Sequence, residues 1–178
     1  MELENLLIDV VRMVIPAGIA IGASVATFKL LARKESEKHR FDKQFLAFST
    51  VMPLKLTAYE RALLYLERIN PNQLVDRCDP NYKSAKALHA AIMLEILMEY
   101  DHNIVQQLYI SENAWDYLLT ARTKVLQLMD EALTEQKEKA TGFDLAKSIK
   151  EKYAEWESNP ITQAIKVMKR DVLKLFGS

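Results

Sequence analysis

Four polar residues at helical spacing, Glu95, Glu99, His102 and Gln106, are the part of this sequence best suited to chemistry. Steps of four, three and four put them in one stripe of a helix, with Leu94, Leu97, Met98, Val105 and Leu108 in a second stripe on the opposite side. Carboxylates and an imidazole on a shared face can hold a metal ion or move a proton. Glu99-x-x-His102 is also the local spacing with which ferritin-type bundles hold a pair of irons. That design needs a second Glu-x-x-His on another helix, and neither His39 nor His89 has a glutamate three residues before it. Two uses remain open for the stripe: a metal-dependent or hydrolytic site built on Glu95, Glu99 and His102, and a structural or partner-binding surface.

Other chemistries lack their parts. There is no Gly-x-Ser-x-Gly, no His-Glu-x-x-His and no pair of cysteines. Loops that cradle phosphates need several glycines close together so that backbone can approach the ligand. This chain has four glycines; Gly18 and Gly22 lie in an apolar segment, which leaves only Gly142 and Gly177. A nucleotide is not expected, nor is any other cofactor. The 24 basic and 24 acidic residues cancel to a formal charge of zero, so no overall field gathers nucleic acid. The lone Cys78 has no internal partner and fits a reducing compartment.

These residues must be positioned by helices. Few glycines, five prolines and an abundance of Leu, Ala, Glu and Lys describe an all-α chain, and nothing reads as a strand. Phe41, Phe45, Phe48 and Met52 form one apolar stripe before Pro53 punctuates it, and Leu56, Tyr59, Leu63, Leu66 and Ile69 form the next until Asn70-Pro71. Residues 70 to 84 read as a loop with one helical turn. A long helix is expected from Ser84 to Ile110, and another from Glu112 to Lys139 behind a Ser111 cap, its charged end at residues 135 to 139 in solvent. Thr141-Gly142 then acts as a C-terminal cap. Shorter helices follow over Asp144 to Glu157 and Pro160 to Phe176, the last behind Ser158-Asn159. The final helix aligns Ile161, Ile165, Met168, Val172 and Leu175, with Lys166, Lys169, Arg170 and Lys174 on its other faces. Packing against the bundle and lying on an anionic bilayer are its two uses.

The opening of the chain sets location. Residues 13 to 28 are sixteen positions without a charge, inside a wider apolar run from Leu6 to Leu31. At about 1.5 Å per residue that run reaches roughly 39 Å, against about 30 Å for a bilayer core. A signal peptide has a basic start, whereas here the start is Met-Glu-Leu-Glu and the basic residues Arg33, Lys34, Lys38, Arg40 and Lys43 follow the run. Asp9 and Arg12, three apart, can pair near the headgroups. The charge asymmetry predicts a single-pass helix in a bacterial inner membrane, with the amino terminus outside and the carboxyl-terminal part cytoplasmic. Gly18, Gly22 and Ala26 make a small-residue ridge on which a second membrane helix can pack. The expected division is an anchor over 1–32, a juxtamembrane helix over 33–53 and a bundle of five or six helices over 54–178.

Two stretches, LTAYERALLYLERINPNQLVDR at residues 56 to 77 and EILMEYDHNIVQQLYISENAW at residues 95 to 115, resemble a family of uncharacterised bacterial proteins. Those proteins have one amino-terminal membrane helix and a helical, cytoplasmic-looking domain of unknown function. The resemblance implies that Tyr59, Glu60, Arg61, Glu67, Arg68, Pro71, Glu99, His102, Asn103, Gln107 and Trp115 recur. It brings no activity with it. Glu60, Glu67 and Arg68 are groups that can meet Glu99, His102 and Asn103 across a helix pair, where an ionic network fixes register more than it stabilises. The expected function is a non-catalytic adaptor or accessory subunit of a membrane assembly. Its rivals are the metal-dependent or hydrolytic enzyme and a homo-oligomeric structural protein. The partners expected are the bilayer and either other assembly proteins or further copies of this chain.

Overall fold

Caps and turn formers set the helix ends more strongly than apolar periodicity does. The computed structural model describes the backbone of residues 2–81 and 84–176, and the side chains of residues 18, 22–35, 38, 39, 42, 45, 46, 48–81 and 84–176. Among the described residues there are helices and no strands: α1 (Glu2–Arg68), α2 (Pro71–Arg77), α3 (Ala85–Asn103), a 3₁₀ segment (Ile104–Leu108), α4 (Glu112–Thr134), α5 (Gly142–Ala154) and α6 (Pro160–Leu175). The chain divides into two compact units, Met1–Val51 and Met52–Ser178.

In the first unit α1 carries exposed apolar side chains, among them Phe28, Leu30, Leu31, Phe45 and Phe48. Among the described residues no helix is long and apolar enough to cross a membrane. The apolar run from Leu6 to Leu31, with Asp9 and Arg12, lies mostly outside the described side chains, as does Phe41. The all-α class is therefore shown without the span. A Cβ on Gly18 or Gly22 would meet nothing within 4 Å among the described residues, and Ala26 is exposed.

Pro53 was expected to stop a helix, yet the backbone stays helical through it. The division between units falls one residue before it. Within the second unit, α1 buries Ala58, Ala62, Tyr65, Leu66 and Ile69, while Leu56 and Leu63 sit at the edge of the core. The buried side thus keeps Tyr59, Leu66 and Ile69 of the expected stripe and adds Ala58, Ala62 and Tyr65.

Asn70 caps α2 by accepting from the Asn72 N–H at 3.1 Å, and Pro71 fits the first turn, so the expected single turn is a seven-residue helix. Ser84, Ser111 and Asn159 cap α3, α4 and α6 as their types predict. Four expected ends move, α5 closing at Ala154 rather than Glu157. The long helix from Ser84 breaks at Asn103, whose Nδ2 donates to the Glu99 carbonyl at 2.7 Å and competes with the helical ladder. α4 ends at Thr134 rather than Lys139, with Gln136 Nε2 donating to the Ala132 carbonyl at 3.1 Å, so the charged run at 135 to 139 is a connection. Gly142 begins α5 instead of ending α4, because Thr141 and Asp144 close a capping box: the Thr141 N–H donates to Asp144 Oδ2 at 2.8 Å. These bonds hold the exposed Asp144 carboxyl below its ordinary range.

α4 is the centre of the bundle, packing against α3, α5 and α6, and α2 lies against α3 and α5. Its buried side, Ala114, Leu118, Ala121, Val125, Met129 and Ala132, keeps steps of three and four. Each large apolar side chain enclosed there contributes about 1.5 to 3 kcal/mol before conformational entropy is charged against it.

Candidate functional site

The polar stripe of α3 meets α1 and α2 through arginines. Arg68 Nη1 donates to Glu99 Oε1 at 2.5 Å, and Arg77 Nη2 donates both to Glu95 Oε1 at 3.2 Å and to the Arg68 carbonyl at 2.9 Å. Three helices are tied by two guanidiniums. Above this seam opens a cavity of about 480 Å³, walled by Arg61, Leu64, Tyr65 and Arg68 of α1 and by Glu99, His102 and Asn103 of α3. Arg61, Arg68, Glu99, His102 and Asn103, five of the residues singled out in the sequence, share that cavity.

An aromatic layer lies behind it. Tyr65 is 1% exposed and packs edge-on against Tyr100, ring centres 6.2 Å apart, and Tyr100 meets Trp115 at 6.4 Å. The Arg122 guanidinium of α4 stacks 4.1 Å from the Tyr100 ring centre. The Tyr65 hydroxyl and Arg122 Nε are buried, and neither has a hydrogen-bond partner among the described residues. Burial raises the Tyr65 hydroxyl pKa, against a smaller opposing pull from Arg122, so the group stays protonated.

Other candidates lie elsewhere. Glu60 lines an apolar groove of about 390 Å³ between α1 and α6, walled by Leu56, Leu63, Met168 and Val172. Glu67 and Gln107 are exposed, and Gln107 falls in the 3₁₀ segment. Glu60 and Glu67 thus take no place in the network around Glu99. Trp115 is a core residue at 8% exposure.

Tyr59 belongs to a second polar cluster. Its hydroxyl accepts from the Ser111 N–H at 3.1 Å and donates to Asp171 Oδ2 at 3.4 Å. The Ser111 hydroxyl also donates to Asp171 Oδ2, and Lys174 Nζ approaches Asp171 Oδ1 at 3.4 Å. A third hub is Tyr153, whose hydroxyl accepts from Asn70 Nδ2 at 3.0 Å and from Asn159 Nδ2 at 2.8 Å, linking the caps of α2 and α6. Asp171, Tyr153, Tyr65 and Arg122 were not singled out by the sequence reading. Asp171 did leave a signal: it is the one acid in a helix rich in lysine and arginine, and it shares the face of Ala164, Met168 and Leu175.

The acidic pocket that a metal-dependent site on Glu95, Glu99 and His102 requires is not what these residues build. Both carboxylates face arginines, and among the described residues no group of three His, Cys, Asp or Glu side chains could hold a metal ion.

A family model described as a family of unknown function, DUF7935, matches residues 5–175. The chain belongs to that family. Comparison of this DUF7935 member with curated proteins and with solved structures found no match. The arginine-lined cavity and the three polar hubs of this DUF7935 protein therefore stand on their own geometry.

Proposed function

We propose that this protein is a membrane-anchored, non-catalytic adaptor or accessory subunit of a membrane assembly. Its amino terminus lies outside a bacterial inner membrane and its helical bundle in the cytoplasm. The anchor reading is supported by the uncharged run at residues 13 to 28 and by the basic cluster that follows it.

One observation carries the adaptor reading. α3 buries Ala85, Leu88, Ile92 and Ile96, and on its opposite side Leu94, Leu97, Met98, Val105 and Leu108, the last two in or beside the 3₁₀ segment, are 48% to 74% exposed. A helix apolar on two opposite faces calls for cover on both. The sequence suggested one apolar and one polar face; the structure has two apolar faces with the polar stripe beside them. Large exposed apolar side chains grouped on one face, here Leu94, Leu97 and Met98 with Asp101 after them, mark an interaction site.

Native mass spectrometry of the full-length protein, extracted gently from its own membrane, tests this. Unrelated subunits at fixed stoichiometry are expected, with their loss in a Leu97→Glu, Leu108→Glu variant of unchanged helicity. A homo-oligomer alone overturns the adaptor reading in favour of the structural one. Digestion of the bundle by protease added to intact spheroplasts overturns the orientation.

A further inference from the structure

The cavity between α1 and α3 carries more positive charge than its own residues neutralise. Two guanidiniums, Arg61 and Arg68, face one carboxylate, Glu99, which is paired with Arg68. Arg61 makes no hydrogen bond or ion pair among the described residues, and the exposed His102 stands on the cavity's α3 wall. A third guanidinium, that of Arg122, stacks on Tyr100 behind the cavity. A guanidinium is a planar fork of donors that fits a carboxylate or a phosphate edge-on, and an imidazole N–H adds one further donor.

Two features select between those anions. Glu99 lies on the wall, and its charge opposes a phosphate dianion while leaving room for a single negative charge held by Arg61. Leu64 sits between Arg61 and Arg68 at steps of three and four on the same face of α1, is 53% exposed, and offers an apolar surface beside the charge. The geometry points to an organic carboxylate joined to an apolar body as the ligand of this cavity, with Arg61 gripping the carboxylate and Leu64 receiving the apolar part. His102 provides the second donor. The buried Tyr65 hydroxyl beside it is protonated and has no acceptor among the described residues, so this side of the cavity adds no further anion.

The same chemistry has two sources: an acidic side chain on a partner polypeptide, which deepens the adaptor reading and rests on it, or a free small acid. Calorimetric titration of the full-length protein in detergent with benzoate, benzamide, inorganic phosphate and the peptide acetyl-Leu-Glu-Leu-amide separates them. Saturable binding of benzoate or the peptide is expected, with no binding of benzamide. Arg61→Gln should lower the association constant about tenfold, the loss of one charged hydrogen-bonding group, with the urea midpoint unchanged. Binding of the peptide without benzoate assigns a polypeptide source, and binding of benzoate without the peptide assigns a free acid. Phosphate binding as tightly as benzoate, benzamide binding equally well, no binding of either carboxylate, or an undiminished constant in Arg61→Gln overturns the assignment. Subunit composition is measured without these probes, so failure of the titration and failure of the adaptor reading are separate results.

Discussion

Glu99 and Asp171 are equally enclosed, each with a side chain 13% exposed, and their surroundings are opposite in kind. Asp171 is an acceptor shared by neutral donors from two other helices, Tyr59 of α1 and the Ser111 cap of α4, with Lys174 on its other oxygen. Each group there has a partner. Glu99 takes one arginine, while a second arginine and a histidine beside it stay open to a cavity, over a buried tyrosine hydroxyl that bonds to nothing among the described residues. A satisfied polar network holds helices in register; an unsatisfied one at a surface is available to something else. The difference assigns stability to the first cluster and binding to the second.

The largest effect expected from breaking this comparison is at Asp171. Asp171→Ala strips the acceptor from two hydroxyls and a lysine at once and should cost about 2 kcal/mol in urea unfolding, within the range for hydrogen bonds to charged groups. Tyr153→Phe should cost about 1 kcal/mol by the same measurement, since it removes a neutral acceptor from the amides of Asn70 and Asn159 while leaving the ring on Trp156. A cost at Tyr153 exceeding that at Asp171 would show that the caps of α2 and α6, rather than the start of α4, are the more demanding join.

What could be read from the sequence follows the range of the interaction concerned. Ser84, Ser111 and Asn159-Pro160 were legible as helix starts because a cap is made within three residues of itself. The stop at Asn103 was not, since apolar spacing continues through Val105 and Leu108 and nothing in that spacing records an amide turned back on the Glu99 carbonyl. The same holds for Gly142, where a glycine after a charged run looks like a C-cap and the Thr141–Asp144 box makes it a start. Periodicity picked out Leu94, Leu97 and Leu108 as the apolar stripe of α3, whereas the core takes Leu88, Ile92 and Ile96, a second apolar stripe of the same spacing that went unread. Around Glu99 the meeting with Arg68, 31 positions away in the chain, was among the expected contacts, whereas the tie from Arg77 of α2 to Glu95 was not, since no local spacing records it. Tyr153 was silent because a tyrosine near a helix end has no pattern that announces two asparagine partners.

Substitutions at the cavity sharpen the comparison from the other side. Tyr65→Phe removes a buried hydroxyl that has no partner among the described residues and keeps the ring against Tyr100, so stability should stay level or rise by up to about 1 kcal/mol. A loss comparable to that of Asp171→Ala would mean that the hydroxyl is part of the fold's polar framework, and the contrast between the two clusters would fall.

Arg61→Gln should do least to the fold. The side chain is exposed and faces the cavity, it shares no bond with Glu99, and its removal leaves the Arg68–Glu99 pair and the Arg77 tie in place. Exposed substitutions away from caps and core stay within about 0.5 kcal/mol. Arg61 and Arg68 stand seven residues, about 10 Å, apart along α1, so the repulsion relieved is weak and largely screened at an open surface, and it acts in the stabilising direction. The urea midpoint of Arg61→Gln should therefore match or slightly exceed that of the wild type at low salt, and the two should converge as salt is added. A destabilised Arg61→Gln at low salt would place Arg61 inside the structural network and make the two carboxylates alike.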